Sequence, residues 1–589
     1  MPNQPPPPPN QPPAGGFGAP QPPQAPPPAQ TPPPAGYGTP PAPPQQTPPP
    51  APGYGQPQAG YGYPQTPPPG QPGYGFPQTP PGQPGYGFPQ TPPPAPVPPA
   101  GGGNAKRNQL MIIGAAVVAI AVIVAGGFWL TSGDDSDEGG DQTTANGQQS
   151  PSGGGNDKPS GPGGSEKAQG NTASKTLVNV EQPKVPAGDF NTIGTHGSWV
   201  TDKVYAKSNV AKVVGYDLDK GTEKWSVPLP GHVCGASRHV SGNKTAILFE
   251  PTLPGANGAI VCSKVGVIDL DAGKLLWSTE AKSSTSGDKA VRFDEVTVSG
   301  QTVAAGGTSG GGAWNLTDGK VLWEPKTDGQ GCYDMGYAGG EALAVMRKCG
   351  RIGNQTLHAQ VLDPVSGAPK YSYKMSQGIE WAQIISTKPL VVTANVNRTA
   401  KNATGVSDIF VVDESGQLKT SIPLTSGNYD PKCNSTEVEV CTKIVVGNGK
   451  VYLPSIEHQG SSNSGGPRTN EILSFDLNTG KQTTDRADAG ERYTMFPLRM
   501  DGSNIIAYKR PPYDKGGQVV SIDGKTMKET VLMVNPEDKE TRRAETQFVP
   551  EAEFRYADGR LFIADNIISN SSISEIEKQY LFVSFTTHR

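Results

Sequence analysis

The sequence predicts an all-β fold: an eight-bladed β-propeller of four-stranded antiparallel blades, with a seven-bladed ring as the alternative. Three observations point there. One short phrase recurs seven times in the C-terminal two-thirds of the chain: an apolar residue, Asp or Asn, two or three residues, then Gly before a strand-like run. Its turn slot falls at positions 221, 273, 319, 367, 416, 480 and 527, with most steps near 48 residues and one of 64. A period of that size marks a stacked or radial array. Between the phrases lie further short strands, four per period, which is the make-up of a propeller blade.

The phrase itself reads as two antiparallel strands joined by a tight turn. Its clearest copies are Tyr216-Asp217-Leu218-Asp219-Lys220-Gly221 leading to Trp225, and Ile268-Asp269-Leu270-Asp271-Ala272-Gly273 leading to Trp277. Trp314-Asn315-Leu316-Thr317-Asp318-Gly319 leading to Trp323 follows the same plan. Weaker copies join Asp363 to Gly367 and Tyr371, Asp413 to Gly416, Asp476 to Gly480, and Asp523 to Met527 in the glycine slot. The Asp or Asn accepts from backbone amides two residues on, and the Gly tolerates the positive φ such a turn needs. The following strand ends in a large aromatic, as in Lys274-Leu275-Leu276-Trp277, which suits burial between neighbouring sheets. Upstream, Glu295 to Val298 and Gln301 to Ala305 flank Ser299-Gly300 as another hairpin.

On these residues, the region from about 176 to 589 resembles the bacterial quinoprotein-type propeller family of PQQ-like repeats. Its blades carry an Asp-x-x-x-Gly-Lys-x-x-Trp phrase between the third and fourth strands. The resemblance makes Asp217, Gly221, Trp225, Asp269, Gly273, Trp277, Gly319, Trp323, Asp363, Gly367, Asp476 and Gly480 blade-turn and packing residues. It implies the fold and not one activity, because the family includes quinone-dependent dehydrogenases, a propeller lipoprotein of outer-membrane barrel assembly, and sensor ectodomains of kinases.

The end of the chain bears on the blade count. Phe554 to Tyr556, Arg560 to Ala564 and Tyr580 to Phe585 supply three strands, and then the chain stops. Thr176-Leu177-Val178-Asn179-Val180 is available as the missing outer strand. Pairing there closes the ring and leaves no open edge, which favours eight blades.

Three segments precede the propeller: a Pro/Gly/Gln-rich tail (1–108), an apolar span (109–131) and a Gly/Ser-rich acidic stalk (132–175). Leu110 to Leu130 is a stretch of 21 residues without a charge, reaching roughly 31 Å as a helix, the thickness of a bilayer core. Lys106 and Arg107 precede it, while Asp134, Asp135, Asp137 and Glu138 follow. The charge asymmetry predicts a single-pass protein of the bacterial cell membrane, with a cytoplasmic N-terminus and an extracytoplasmic propeller. Residues 1 to 105 contain no Asp, Glu, Lys, Arg or His, and Pro72 to Pro80 recurs as Pro84 to Pro92. Disorder with polyproline II character is expected there, with a cytoplasmic partner of the tail or an inert bristle as the two readings. The stalk reads as a flexible spacer.

All six cysteines (Cys234, Cys262, Cys332, Cys349, Cys433, Cys441) follow the apolar span. An even count on the presumed exterior predicts structural disulfides, with buried free thiols as the alternative. Neighbour pairing gives Cys234–Cys262, Cys332–Cys349 and Cys433–Cys441.

The search for chemistry yields no assembled constellation, so no catalytic, cofactor-binding or metal-binding residue is assigned. Gly307-Thr308-Ser309-Gly310-Gly311 matches the nucleophile-elbow pattern but sits between two strands, with no helix pattern after it. The histidines are scattered; His232 and His239 flank Cys234 in a way that hints at a metal, though a polar loop is the simpler account. Dehydrogenases of the resembled family use a vicinal disulfide against the quinone (PQQ), an acidic base and calcium. No two cysteines here are adjacent, so neither quinone nor calcium is expected. The net charge of −4, with about −6 left beyond Lys106 and Arg107, disfavours a nucleic-acid partner. The long step contains Asn428 to Pro467, read as a disulfide-stapled loop on a binding rim. The expectation is a non-catalytic, membrane-anchored envelope protein whose propeller binds a protein or glycan. A tethered quinoprotein oxidoreductase and a sensory or envelope-assembly factor are the alternatives.

Overall fold

A computed structural model describes residues 164–185, 192–253, 261–282, 289–351, 353–400, 405–433, 436–460, 468–548, 552–569 and 578–589. The apolar span at 109–131, the tail and most of the stalk lie outside these residues. Among the described residues no helix is long and apolar enough to cross a membrane.

Eight four-stranded antiparallel sheets follow one another. Blade one runs from Ser198–Val200 to Glu223–Pro228, blade two from Val233–Ala236 to Lys274–Glu280, and blade three from Glu295–Ser299 to Val321–Trp323. Blade four runs from Tyr333–Ala338 to Pro369–Lys374 and blade five from Ala382–Thr387 to Leu418–Pro423. Blade six runs from Val445–Gly447 to Gln482–Asp488 and blade seven from Thr494–Asp501 to Glu529–Val534. Blade eight takes Glu553–Ala557, Arg560–Ala564 and Tyr580–Thr586 from the end of the chain, and Lys175–Glu181 from before blade one. Lys175–Glu181 pairs antiparallel with Tyr580–Thr586, closing the ring at eight blades. Just before that strand, Ser165 and the Glu166 amide donate to the Asp501 carboxylate, and Arg499 reaches Glu166 at 2.6 Å. Residues 164–175 therefore already pack on blades seven and eight.

The two middle strands of a blade are buried on both faces, as Lys244–Phe249 and Lys264–Asp269 show, so they read as near-continuous apolar runs. Outer strands alternate exposed and half-buried, as in Lys274–Glu280. The described apolar core falls into eight clusters, one for each interface between neighbouring blades. At the closing interface Tyr205 of blade one stacks on Phe562 of blade eight, with ring centroids 4.0 Å apart.

The recurrent phrase has two physical roles. Its Asp or Asn side chain accepts from turn amides: Asp217 from Asp219 and Lys220 at 3.0 and 2.9 Å, and Asp476 from Asn478 and Thr479 at 2.9 and 2.8 Å. Asp363 accepts from Val365 and Ser366 at 3.1 and 2.9 Å, and Asp269 from Ala272 at 2.9 Å. The glycines take positive φ, +66° at Gly221, +62° at Gly273 and +69° at Gly480. Three of these glycines also receive a tryptophan from the preceding blade. Trp225 lies on Gly273, Trp277 on Gly319 and Trp323 on Gly367, and a Cβ at those glycines would collide with the indole rings. One residue thus meets a backbone requirement and a packing requirement between blades at once.

The long step differs from the single rim loop expected. Within Asn428 to Pro467 lie two strands of blade six, Val445–Gly447 and Lys450–Pro454. The added length is split between a segment before those strands, at 428–444, and a hairpin after them, His458–Gln459 with Arg468–Thr469. The first segment does not lie on a rim. Cys433, Val438 and Cys441 are buried, because the segment turns inward and fills part of the ring's axial space.

Candidate functional site

The first strand of each of the eight blades contributes to one cavity of about 670 Å³, which marks the axial channel. The segment 432–444 runs into this channel and closes on itself through the Cys433–Cys441 disulfide and a bond from the Thr442 amide to the Lys432 carbonyl. Its anchors come from blades two to five and from blade seven, where Lys443 lies 4.9 Å over the Phe496 ring; the Gly339 amide of blade four donates to Glu439 at 3.4 Å. The Glu295 carboxylate of blade three accepts from the Val438 amide at 2.9 Å and the Glu439 amide at 3.1 Å. Glu439 pairs with His239 of blade two at 2.5 Å and accepts from the Thr297 hydroxyl of blade three at 2.8 Å. Arg238 of blade two donates to the Cys441 carbonyl at 2.8 Å, and the Ile384 amide of blade five donates to the Val438 carbonyl at 2.8 Å.

The electrostatics follow from burial and partners. Burial pushes the Glu295 carboxyl well above the usual carboxylate range, against the pull of the Val438 and Glu439 amides. Burial also raises Glu437, opposed by Arg238. Glu439 is equally buried, but His239, Arg238 and Thr297 outweigh that and hold its carboxyl below the ordinary range. On the far side of the channel, Glu553 pairs with Lys207 at 3.1 Å and accepts from the Gly197 amide at 2.9 Å, tying blade eight to blade one. Burial would raise Glu553, yet Lys207 and Arg555 keep it below the usual range.

The sequence-assigned residues divide between two places. The turn and tryptophan residues sit in the hairpins and blade interfaces, away from the channel. The six cysteines form Cys234–Cys262, Cys332–Cys349 and Cys433–Cys441, the neighbour pairing expected. Cys234 and Cys441 reach the channel wall. Gly307 to Gly311 forms the turn between Thr302–Gly306 and Gly312–Asn315 of blade three, a hairpin and not a strand-to-helix elbow. His232 and His239 do not converge: His232 faces Glu250 at 3.0 Å, and His239 faces Glu439. Arg238, Glu295, Glu439 and Arg555 carry no sequence motif; only their placement on first strands (Glu295, Arg555), just after one (Arg238) or in the long step (Glu439) brings them together.

A quinone with its calcium does not suit these residues. The disulfides join cysteines 28, 17 and 8 positions apart, none of them vicinal. Among the described residues no group of three or more His, Cys, Asp or Glu side chains could hold a metal ion.

Fold and repeat together define a PQQ-like-repeat propeller. The chain belongs to the family described as outer membrane protein assembly factor BamB, whose model matches residues 166–324 and 261–545. No curated protein matches the chain. BamB from Moraxella catarrhalis is similar over 67% of this chain and 98% of its own, at 13% identity and a TM-score of 0.34. A quinohemoprotein alcohol dehydrogenase from Pseudomonas putida HK5 is similar over 70% of this chain and 76% of its own, at 10% identity and a TM-score of 0.40. The enzyme of that type from Comamonas testosteroni is similar over 72% and 78%, at 12% identity and a TM-score of 0.40. At such scores none of the three decides activity or site.

Proposed function

We propose that this chain is a non-catalytic envelope protein, held in the bacterial cell membrane by one span at 109–131, whose extracytoplasmic propeller is a binding and scaffold module. The observation that carries the reading is the occupied channel. Glu295, Glu439, His239 and Arg238 are the convergent side chains whose types suit acid–base work, and each is committed to holding the chain's own 433–441 segment. The family description supports a role in envelope assembly. Three disulfides agree with an oxidising exterior, and the Lys106–Arg107 flank agrees with a cytoplasmic tail free to meet partners there. The partners outside are protein or glycan; nucleic acid is not among them.

The test is photo-crosslinking in intact cells from positions on the propeller, followed by purification of the full-length chain. Recovery of one defined envelope component, together with propeller digestion by externally added protease in wall-stripped cells, is the expected result. Dye-linked alcohol oxidation by the purified chain after addition of quinone and calcium would overturn the non-catalytic reading.

A further inference from the structure

Among the described residues one tryptophan stands outside the blade interfaces. Trp199 and Trp314 are buried, and Trp225, Trp277 and Trp323 lie on the glycines of the next blade. Trp381 is 37% exposed and sits just before the first strand of blade five. The Lys348 ammonium of blade four lies 4.6 Å from the centroid of its ring, and Lys348 itself is buried. That ammonium also donates to the Glu380 carbonyl at 3.3 Å. The indole caps the lysine with one face, is held there, and turns its other face to solvent. An aromatic ring fixed flat at the surface is a ready stacking platform, because little freedom is lost when a ligand lies on it.

Three loops bring polar groups to the rim of this platform. The link into blade five carries Gln377 and Glu380, the loop after the second strand of blade four carries Asn354, and the loop after the second strand of blade five carries Asn397 and Arg398. Gln377 donates to the Asn354 side chain at 3.2 Å, and Arg398 reaches Glu380 at 2.9 Å. Asn397 and Arg398 both have positive φ, +51° and +58°, a region that a side chain like that of arginine rarely adopts. The turn is held by the Thr399 amide on the Val396 carbonyl, the Ala400 amide on the Asn395 side chain and the Val396 amide on the Ser407 hydroxyl. Stability is not what the strain secures. The Arg398 and Glu380 side chains are 82% and 63% exposed, and an ion pair so open to water contributes little. Strain kept without a gain in packing marks a functional position.

The platform also faces away from the stalk. Trp381 lies at the end of the ring where first strands begin. Ser165 and Glu166 bond Asp501, the last residue of a first strand, at the opposite end and on the far side of the axis. We propose that Trp381 and its rim bind a carbohydrate: a β-linked, gluco-configured glycan stacks one ring on the indole and bonds its hydroxyls to Gln377, Glu380 and Arg398. Such a pyranose has a flat apolar face of axial C–H groups and a rim of hydroxyls that donate and accept. The indole matches the face, while the amides and the Glu380–Arg398 pair match the rim and leave no net charge there for an ion. This rests on the binding-module reading and narrows its partner to a glycan.

The test is isothermal titration of the full-length chain, in a detergent without a sugar headgroup, with cellotetraose and with tetra-N-acetylchitotetraose. At least one should bind, and Trp381→Ala should weaken it at least about tenfold. Tyr513→Ala, at an aromatic 83% exposed on blade seven, should leave binding unchanged. Arg398→Gly removes the guanidinium and the strain together, so binding should fall about threefold to tenfold while the melting temperature holds or rises. A lower melting temperature would make the turn structural and overturn the part given to Arg398. Binding of neither oligosaccharide, or equal binding by Trp381→Ala, overturns the proposal. So does a protein crosslinked through position 381 with neither sugar bound, which would assign the platform to a protein partner and leave the binding-module reading intact.

Discussion

Replacing the phrase glycines with alanine separates backbone strain from docking between blades. All four glycines of interest have positive φ: +62° at Gly273, +72° at Gly319, +69° at Gly367 and +56° at Gly300. Alanine in that region costs roughly 1 to 2 kcal/mol whatever surrounds it. What differs is the space. A Cβ at Gly300 meets nothing within 4 Å. At Gly367 it lies 3.0 Å from the Trp323 ring, at Gly319 2.7 Å from Trp277, and at Gly273 it falls inside the Trp225 ring's contact distance. Overpacking of this kind adds about 1 to 3 kcal/mol. Gly300→Ala should therefore cost about 1 to 2 kcal/mol and Gly273→Ala about 2 to 5, with Gly367→Ala and Gly319→Ala between them in that order. The gain from a stiffer unfolded chain is common to all four and drops out of the comparison. Urea unfolding followed by far-UV circular dichroism measures the series, with a constant denaturant slope as the check on a common transition. Met527 occupies the same slot at φ +56°, so the slot itself accepts a side chain. Equal costs for Gly273→Ala and Gly300→Ala would refute the docking role assigned to the tryptophans.

Three other predictions follow from the same structure. Removing residues 1–182 strips Lys175–Glu181 from Tyr580–Thr586 and exposes an apolar edge strand, so that chain should aggregate while removal of 1–163 yields a monomer by size-exclusion chromatography. The Ser366 amide, the Ser366 hydroxyl and the Val365 amide hold the Asp363 carboxyl below the usual Asp range. Its stabilisation is therefore present above a pH of about 3.9 and lost as the pH falls through the depressed value, and Asp363→Asn should flatten the acid limb of stability measured from pH 6 to 2.5. Glu295→Ala orphans the buried Val438 and Glu439 amides at about 1 to 3 kcal/mol each, and hydrogen exchange across 436–444 should rise at least tenfold; unchanged exchange would contradict the latch.

The fold was legible because its repeat is local. An Asp or Asn that caps its own turn and a residue with positive φ four positions on are fixed by neighbours in sequence, so the phrase recurs visibly seven times, three times with a Trp after it. Ring closure was legible too, since Phe554 to Phe585 left a three-stranded sheet in need of an edge and Thr176 to Val180 matched it. The short pairing of Thr192–Gly194 with Ile567–Ser569 was not, because two three-residue strands far apart carry no periodic signal. The channel was illegible for a related reason. Arg238, Glu295, Glu439 and Arg555 lie up to 317 positions apart and meet only because each belongs to a first strand, to the turn just after one, or to the plug. Residue types that look unremarkable singly become a site only through radial placement.

The plug follows from the ring. Eight sheets around one axis leave a central void, and an unfilled void forfeits packing on every wall. The segment at 436–441 meets that need with alternating character: Val438 is buried against blades four and five, while Glu439 on the next residue faces His239 and Thr297. The turn at Val438–Glu439 sends one side chain into apolar packing and the next onto polar walls. The disulfide then narrows the segment's freedom before it enters, lowering the entropy lost on ordering it. Hydrogen bonds with blades two to five and the Lys443 ammonium over the Phe496 ring of blade seven then fix the segment against several walls of the ring at once.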